Sequence, residues 1–304
     1  MNSRNERIKK KTCRTSTKVG GISVSALGAT ALALLLTTTG ALAGPVTDHT
    51  QVGTVEIGFP SFNELFTAGY DSFTFHFNKG DFSRRQQVAA GAFGGEAKAV
   101  ENDPFDPSTL YRSQDDVIFY CVDLFSDLNY NNGFHRYTVL ALDDDTQVES
   151  SHGSQVITRD FGNVLTFLGA LNLVLAENYG LTHGEQNWLN PTTGWMSGAI
   201  QAGIWESLYD FDNGMDINDG FFKVSGTGSG SHKLSKSGAN LLSATFSRME
   251  SAPSLDNRLV HWFHIDNGQD IIGDPIQVPA PGSLILLLGG LIMLVNASRV
   301  RGHG

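Results

Sequence analysis

Cysteine is nearly absent from this chain. Its 304 residues hold two, Cys13 and Cys121. Base is scarce as well, with 21 Lys and Arg against 31 Asp and Glu. Much of that base lies at the two ends. Without residues 1–43 and 279–304, 12 bases face 30 acids, a net of −18. Such a surface excludes binding to nucleic acid, whose phosphates need a basic face, and favours solubility and hard divalent cations. There is no fixed-period repeat and no long low-complexity linker. The mature histidines, His49, His76, His135, His152, His183, His232, His261 and His264, sit in no hydrolase signature. Long apolar runs occur only near the ends.

Those ends are informative. Arg4, Arg7, Lys9, Lys10, Lys11, Arg14 and Lys18 face one acid, Glu6. A short apolar core at 26–36 follows, then a small-residue exit, Ala41-Leu42-Ala43. A basic head, a short apolar middle and a small-residue exit predict a signal peptide over 1–43, with Gly44 as the first mature residue. The core is too short for a spanning helix of about 20 residues. At the other end Pro279 and Pro281 break the chain, residues 284–295 are apolar, and Arg299 and Arg301 follow. With its flanks this segment approaches spanning length, and the basic tail fits cytoplasmic retention. Residues 278–304 are therefore expected to form a membrane anchor.

The middle, 44–277, is long enough for one large domain or two small ones. Short apolar runs alternate with Gly, Asn, Asp, Ser and Thr, the pattern of many strands and turns. "TVEIGF", "SFTFHF" and "RYTVLAL" read as strands, "VAAGAFGGEAKAV" as a strand interrupted by glycines, and "PFDPS" as a turn. "DDVIFYCVDLF" is rich in β-branched and aromatic residues and reads as a buried strand. Phe161, Val164, Leu165, Leu168, Leu171, Leu175 and Tyr179 recur at helical spacing, and Gly180 is a helix stop. Met196, Ala199, Ile200, Gly203, Ile204 and Leu208 mark one face of a second helix. "VSGTGSGSHKLSKSG" reads as a mobile surface loop and "LVHWFHI" as a strand. The expected fold is β-rich, a sandwich or barrel-like α+β domain, with a helical insertion at about 159–210.

Cys121 has no cysteine partner in the mature chain, although exported proteins meet oxidising conditions. It reads as a buried structural thiol, half of an intermolecular disulfide, or a reactive thiol. Composition alone favours the first. A hydrolase would need a base beside it. His261 and His264, three apart in a strand, fall on opposite faces and make no zinc pair, one buried and one exposed. The acids at 143–145 and 209–220 suit calcium, but the second stretch lacks the Glu of an EF-hand, and Asn/Asp/Gly turns are the plainer reading. Gln201 and Trp205, four apart, share a face beside the apolar stripe. An amide there needs a partner.

Two resemblances draw these features together. The C-terminal segment, Val278-Pro279-Ala280-Pro281 with its apolar run and basic tail, resembles the PEP-CTERM sorting signal of Gram-negative bacteria, with Ala280 where that motif has Glu. It implies export, transient membrane anchoring and processing by signal peptidase and an exosortase. Tyr120-Cys121, followed by Ile200-Gln201-Ala202-Gly203-Ile204-Trp205, resembles the Cys–Gln thioester domains of bacterial surface proteins over about 90–222. Ile200 replaces the usual Thr and Gly203 the usual Ala. The stretches around Cys121 and Gln201 also look like a common group of PEP-CTERM proteins of unassigned role. The resemblance implies a bond between the Cys121 sulfur and the Gln201 acyl group, with Trp205 covering it. Phe119, Tyr120 and Phe125 would add dry cover, and Asp123 would help take up a proton. The expected protein is a cell-surface or matrix component that tethers covalently, once, to an amine-bearing polymer. It is not a turnover enzyme and has no cofactor unless calcium binds. A non-reactive matrix protein of the same fold and a cysteine hydrolase are the alternatives.

Overall fold

The computed structural model describes residues 51–100, 114–128, 130, 133–152, 155–230 and 232–273. The signal-peptide stretch, the "PFDPS" turn and the C-terminal segment with Val278, Pro279, Ala280 and Pro281 lie outside these residues. The chain runs β1 (Gln51–Gly58), α1 (Phe62–Leu65), β2 (Asp71–Lys79), β3 (Phe82–Ala90), β4 (Phe93–Ala99), β5 (Gln114–Cys121) and β6 (Phe134–Leu140). It continues through β7 (Gln147–His152), β8 (Gln155–Asp160), α2 (Phe161–Tyr179), a 3-10 turn at Gly184–Leu189 and α3 (Gly194–Tyr209). β9 (Phe222–Val224), α4 (Lys236–Met249), β10 (His261–His264) and β11 (Ile271–Gly273) complete it. Among the described residues no helix is long and apolar enough to cross a membrane.

Six strands close into an antiparallel barrel in the order β1-β4-β5-β11-β10-β6. The two-residue period of a strand sends alternate side chains to opposite faces. Val55, Ile57, Phe93, Val117, Phe119, Tyr137, Val139, Phe263 and Ile271 fill the barrel. Tyr120, Leu140, Trp262 and Ile272, one residue out of phase, join a larger core with the helices. Both faces of β5 are thus dry, which explains its continuous apolar run. A second sheet has the order β3-β2-β9, and β7 and β8 form a separate hairpin. The glycine-interrupted stretch expected as one strand is two, β3 and β4, in different sheets.

Helix boundaries follow their caps. Asp160 Oδ1 accepts the Asn163 N–H at the start of α2, and Gly180 ends it in the left-handed conformation with φ 69°. Thr193 caps α3 and Ser235 caps α4. α3 is buried on every side, Met196 through Tyr209, not along one stripe as expected. It is wedged against the β3-β2-β9 sheet, α2 and α4. The stretch 224–238, expected as a mobile loop, carries the β-bridges Thr227–Leu234 and Phe73–His232 and runs into α4.

Candidate site at the end of strand β5

A helix with no exposed face must settle each of its polar side chains inside the protein. On α3, Ser197, Gln201 and Tyr209 do so on the open ends of β4 and β5. Val122 donates its N–H to Asp270 O at 3.0 Å, and Tyr120 pairs with Ile272. Even-numbered residues here face β11, so the N–H and C=O of Cys121 point the other way. That side belongs to β4, whose pairing stops at Phe93 opposite Phe119. The Gln201 carboxamide takes the missing place. Its Nε2 donates to Cys121 O at 2.7 Å, and its Oε1 accepts the Cys121 N–H at 2.9 Å. Ser197 Oγ accepts the Ala92 N–H at 2.6 Å, just before β4 begins. Tyr209 Oη donates to Val122 O at 3.0 Å and accepts the Leu124 N–H at 3.2 Å.

Cys121 and Gln201, eighty residues apart, are therefore joined through the cysteine backbone. Gln201 is 1 % exposed and Cys121 is half-buried. Burial pushes the Cys121 thiol far above its usual range, and the charges of Asp123 and Asp127 push it further. No histidine is among the groups acting on it. The thiol is held neutral, the opposite of an activated nucleophile at rest.

The other expected residues are distributed around this strand end. Tyr120 stacks on Trp188 at 5.8 Å and donates its hydroxyl to Trp188 O. Asp123 is a turn-former and is not directed at the thiol: Oδ1 accepts the Phe125 N–H, and Oδ2 accepts the Ser126 hydroxyl. Trp205 meets Phe73, Phe75 and Phe222, all of the three-stranded sheet. Phe119 faces Phe59, Phe93 and Phe263 inside the barrel. Phe125 packs on Phe77, Phe82 and Tyr209. These rings dry the region from several sides and do not form one lid over Cys121. Gly203 is explained by packing: a Cβ there would lie 2.2 Å from Phe167 Cζ.

Two participants were missed in the sequence, Ser197 and Tyr209. Their signal was available, since 197, 201 and 209 fall on one i, i+4 row of an apolar helix. His261 and His264 take opposite faces, as their spacing requires. Both are half-buried, so the expected exposed histidine does not occur. His264 Nδ1 lies 2.9 Å from Asp270 Oδ1, and Arg159 Nη1 donates to Asp270 Oδ2 at 2.9 Å. This buried cluster ties β8 to the β10–β11 hairpin. Set beside family models, curated proteins and solved structures, the chain matches none.

Proposed function

We propose that this chain is an exported surface or matrix protein whose Cys121 and Gln201 form an internal thioester, used once to attach to an amine-bearing polymer. The observation carrying this reading is the pair of hydrogen bonds between the Gln201 amide and the Cys121 backbone. The N–H that meets Gln201 Oε1 belongs to the residue bearing the thiol. A donor so placed stabilises negative charge developing on that oxygen during acyl transfer. In ring closure the Cys121 sulfur attacks the Gln201 carboxamide carbon, the C–N bond breaks, and ammonia leaves with the thiol proton. Attack by an amine then forms an amide with Gln201 and returns the Cys121 thiol. The buried aromatic surroundings support the lifetime of such an electrophile by excluding water. The sorting-signal resemblance supports delivery to the surface through signal peptidase and an exosortase, with Pro279-Ala280-Pro281 as the recognised motif.

A second reading has its own observation. Both functional groups of the Gln201 amide are already engaged in completing a sheet edge, and the thiol is held neutral. That arrangement suits a non-reactive matrix protein. Among the described residues no histidine acts on the Cys121 thiol to support the cysteine-hydrolase alternative. Intact mass of the purified protein separates the first two readings. A deficit of one ammonia that vanishes in both Cys121→Ala and Gln201→Ala supports the thioester. A full mass, with one thiol titrating in denaturant, overturns it.

A further inference from the structure

The C-terminal end of α3 concentrates acid in a dry place. Glu206 and Asp210, one turn apart, are each 0 % exposed. Glu206 Oε1 accepts the Asp216 N–H at 2.8 Å, so the carboxyl is directed at the loop that follows the helix. Its other oxygen, Oε2, is buried and has no hydrogen-bond partner. Asp210 Oδ1 accepts from Asn213 Nδ2 at 2.7 Å, and Oδ2 accepts the Phe222 N–H at 3.2 Å. Each Asp210 oxygen keeps a further lone pair. Gly220, at φ 87°, lets this carboxylate approach: a Cβ there would lie 1.7 Å from Asp210 Oδ2.

α3 has no basic residue in its last turn. The negative end of the helix dipole is directed at the same spot. An orphaned carboxylate oxygen beside a second buried carboxylate, at a helix C-terminus, calls for a cation.

We propose that Glu206 and Asp210 are the anionic ligands of a calcium site at the end of α3. Among the described residues no three His, Cys, Asp or Glu side chains stand together as a metal cage. The remaining ligands are therefore backbone and amide oxygens, Asn213 among them, and water. A cation held by oxygen donors alone, in an irregular loop, is calcium before zinc, which takes nitrogen and sulfur, and before magnesium, which demands a strict octahedron. The site stands independently of the thioester. Its structural effect is to clamp the end of α3 to the loop that leads into β9.

The test uses the full chain, stripped with a chelator and melted with and without ~1 mM calcium. Binding raises Tm by about 5 °C or more, since ligand binding to the native state alone stabilises it. Magnesium at the same concentration gives little of this rise. Glu206→Gln, the neutral isostere, folds and loses the rise, while the exposed Glu250→Gln keeps it. Should Glu206→Gln not fold, terbium luminescence excited through neighbouring Trp205 and quenched by calcium replaces that arm. No calcium-dependent rise in the unaltered chain overturns the proposal, as does an undiminished rise in Glu206→Gln or the absence of terbium luminescence.

Discussion

Gln201 stands where a strand residue would stand beside Cys121. The two hydrogen bonds between them reproduce the donor and acceptor exchange of an antiparallel pair. The helix side chain thereby extends the β4–β5 ladder one step past the end of β4.

From this comes an asymmetry between the two partners. The bonds run to the Cys121 backbone, so Cys121→Ala keeps both and costs only its packing, about 1 kcal/mol. Gln201→Ala strands a buried N–H and a buried C=O and costs about 3 kcal/mol. The difference between the denaturant melts of the two variants checks this whether or not the parent forms a thioester, since neither variant can form one. Equal losses would contradict the ladder.

The Tyr209 hydroxyl carries two bonds to the chain just beyond Cys121. Tyr209→Phe is expected to destabilise by about 2 kcal/mol. Amide exchange should accelerate at Leu124, where the donor loses its partner, while the exchange of β1 amides stays unchanged.

Gly203 sits under the Phe167 ring, where α2 and α3 meet. Gly203→Ala gains helix propensity but overpacks this contact, for a net loss of about 1–3 kcal/mol. Shortening the ring partner, as Gly203→Ala with Phe167→Leu, should recover much of it. Non-additivity in that double-mutant cycle is the measurement.

The Arg159–Asp270–His264 cluster makes a prediction in pH. Burial opposes charge on His264, but the hydrogen bond and charge of Asp270 outweigh it, and its pKa rises. Its contribution is complete below the ordinary histidine value of about 6.5 and fades as pH climbs through the raised folded value. Burial likewise opposes ionisation of Asp270, but His264 and Arg159 outweigh it and its pKa falls. That contribution is complete above the ordinary value of about 3.9 and is lost as pH drops through the lowered one. Together they give a plateau between roughly pH 4 and 6.5. His264→Gln should remove the upper limb and weaken the lower one, since His264 also helps hold Asp270 ionised. Asp270→Asn leaves Arg159 buried without its partner and costs about 3–5 kcal/mol at pH 6.

How much of this was readable beforehand depended on which forces were local. β1, β2, β5 and β6 announce themselves through alternation or β-branched runs, and α2 through its spacing and Gly180. The hairpin β7–β8 does not, because Glu149, Ser150, Ser151 and Arg159 interrupt any apolar alternation. The start of α4 carries the pattern of a loop, since only Gly238, Leu241, Leu242 and Thr245 of the helix are buried. Barrel closure rests on β10 and β11, four and three residues long. Nothing in such short segments names their partners. At the site, the pairing of Cys121 with Gln201 was legible as a match of residue types. That the contact runs through the cysteine backbone was not, because it depends on where β4 stops.

That the amide of one element completes the ladder of another, across eighty residues, also makes the site an inspector of assembly. Neither the barrel nor the helices can build it alone. Contacts of such long sequence separation form only after costly loop closure. A chain with α3 undocked leaves the end of β5 open to water and the Gln201 amide far from the thiol. Any chemistry at this place is therefore withheld until folding is complete.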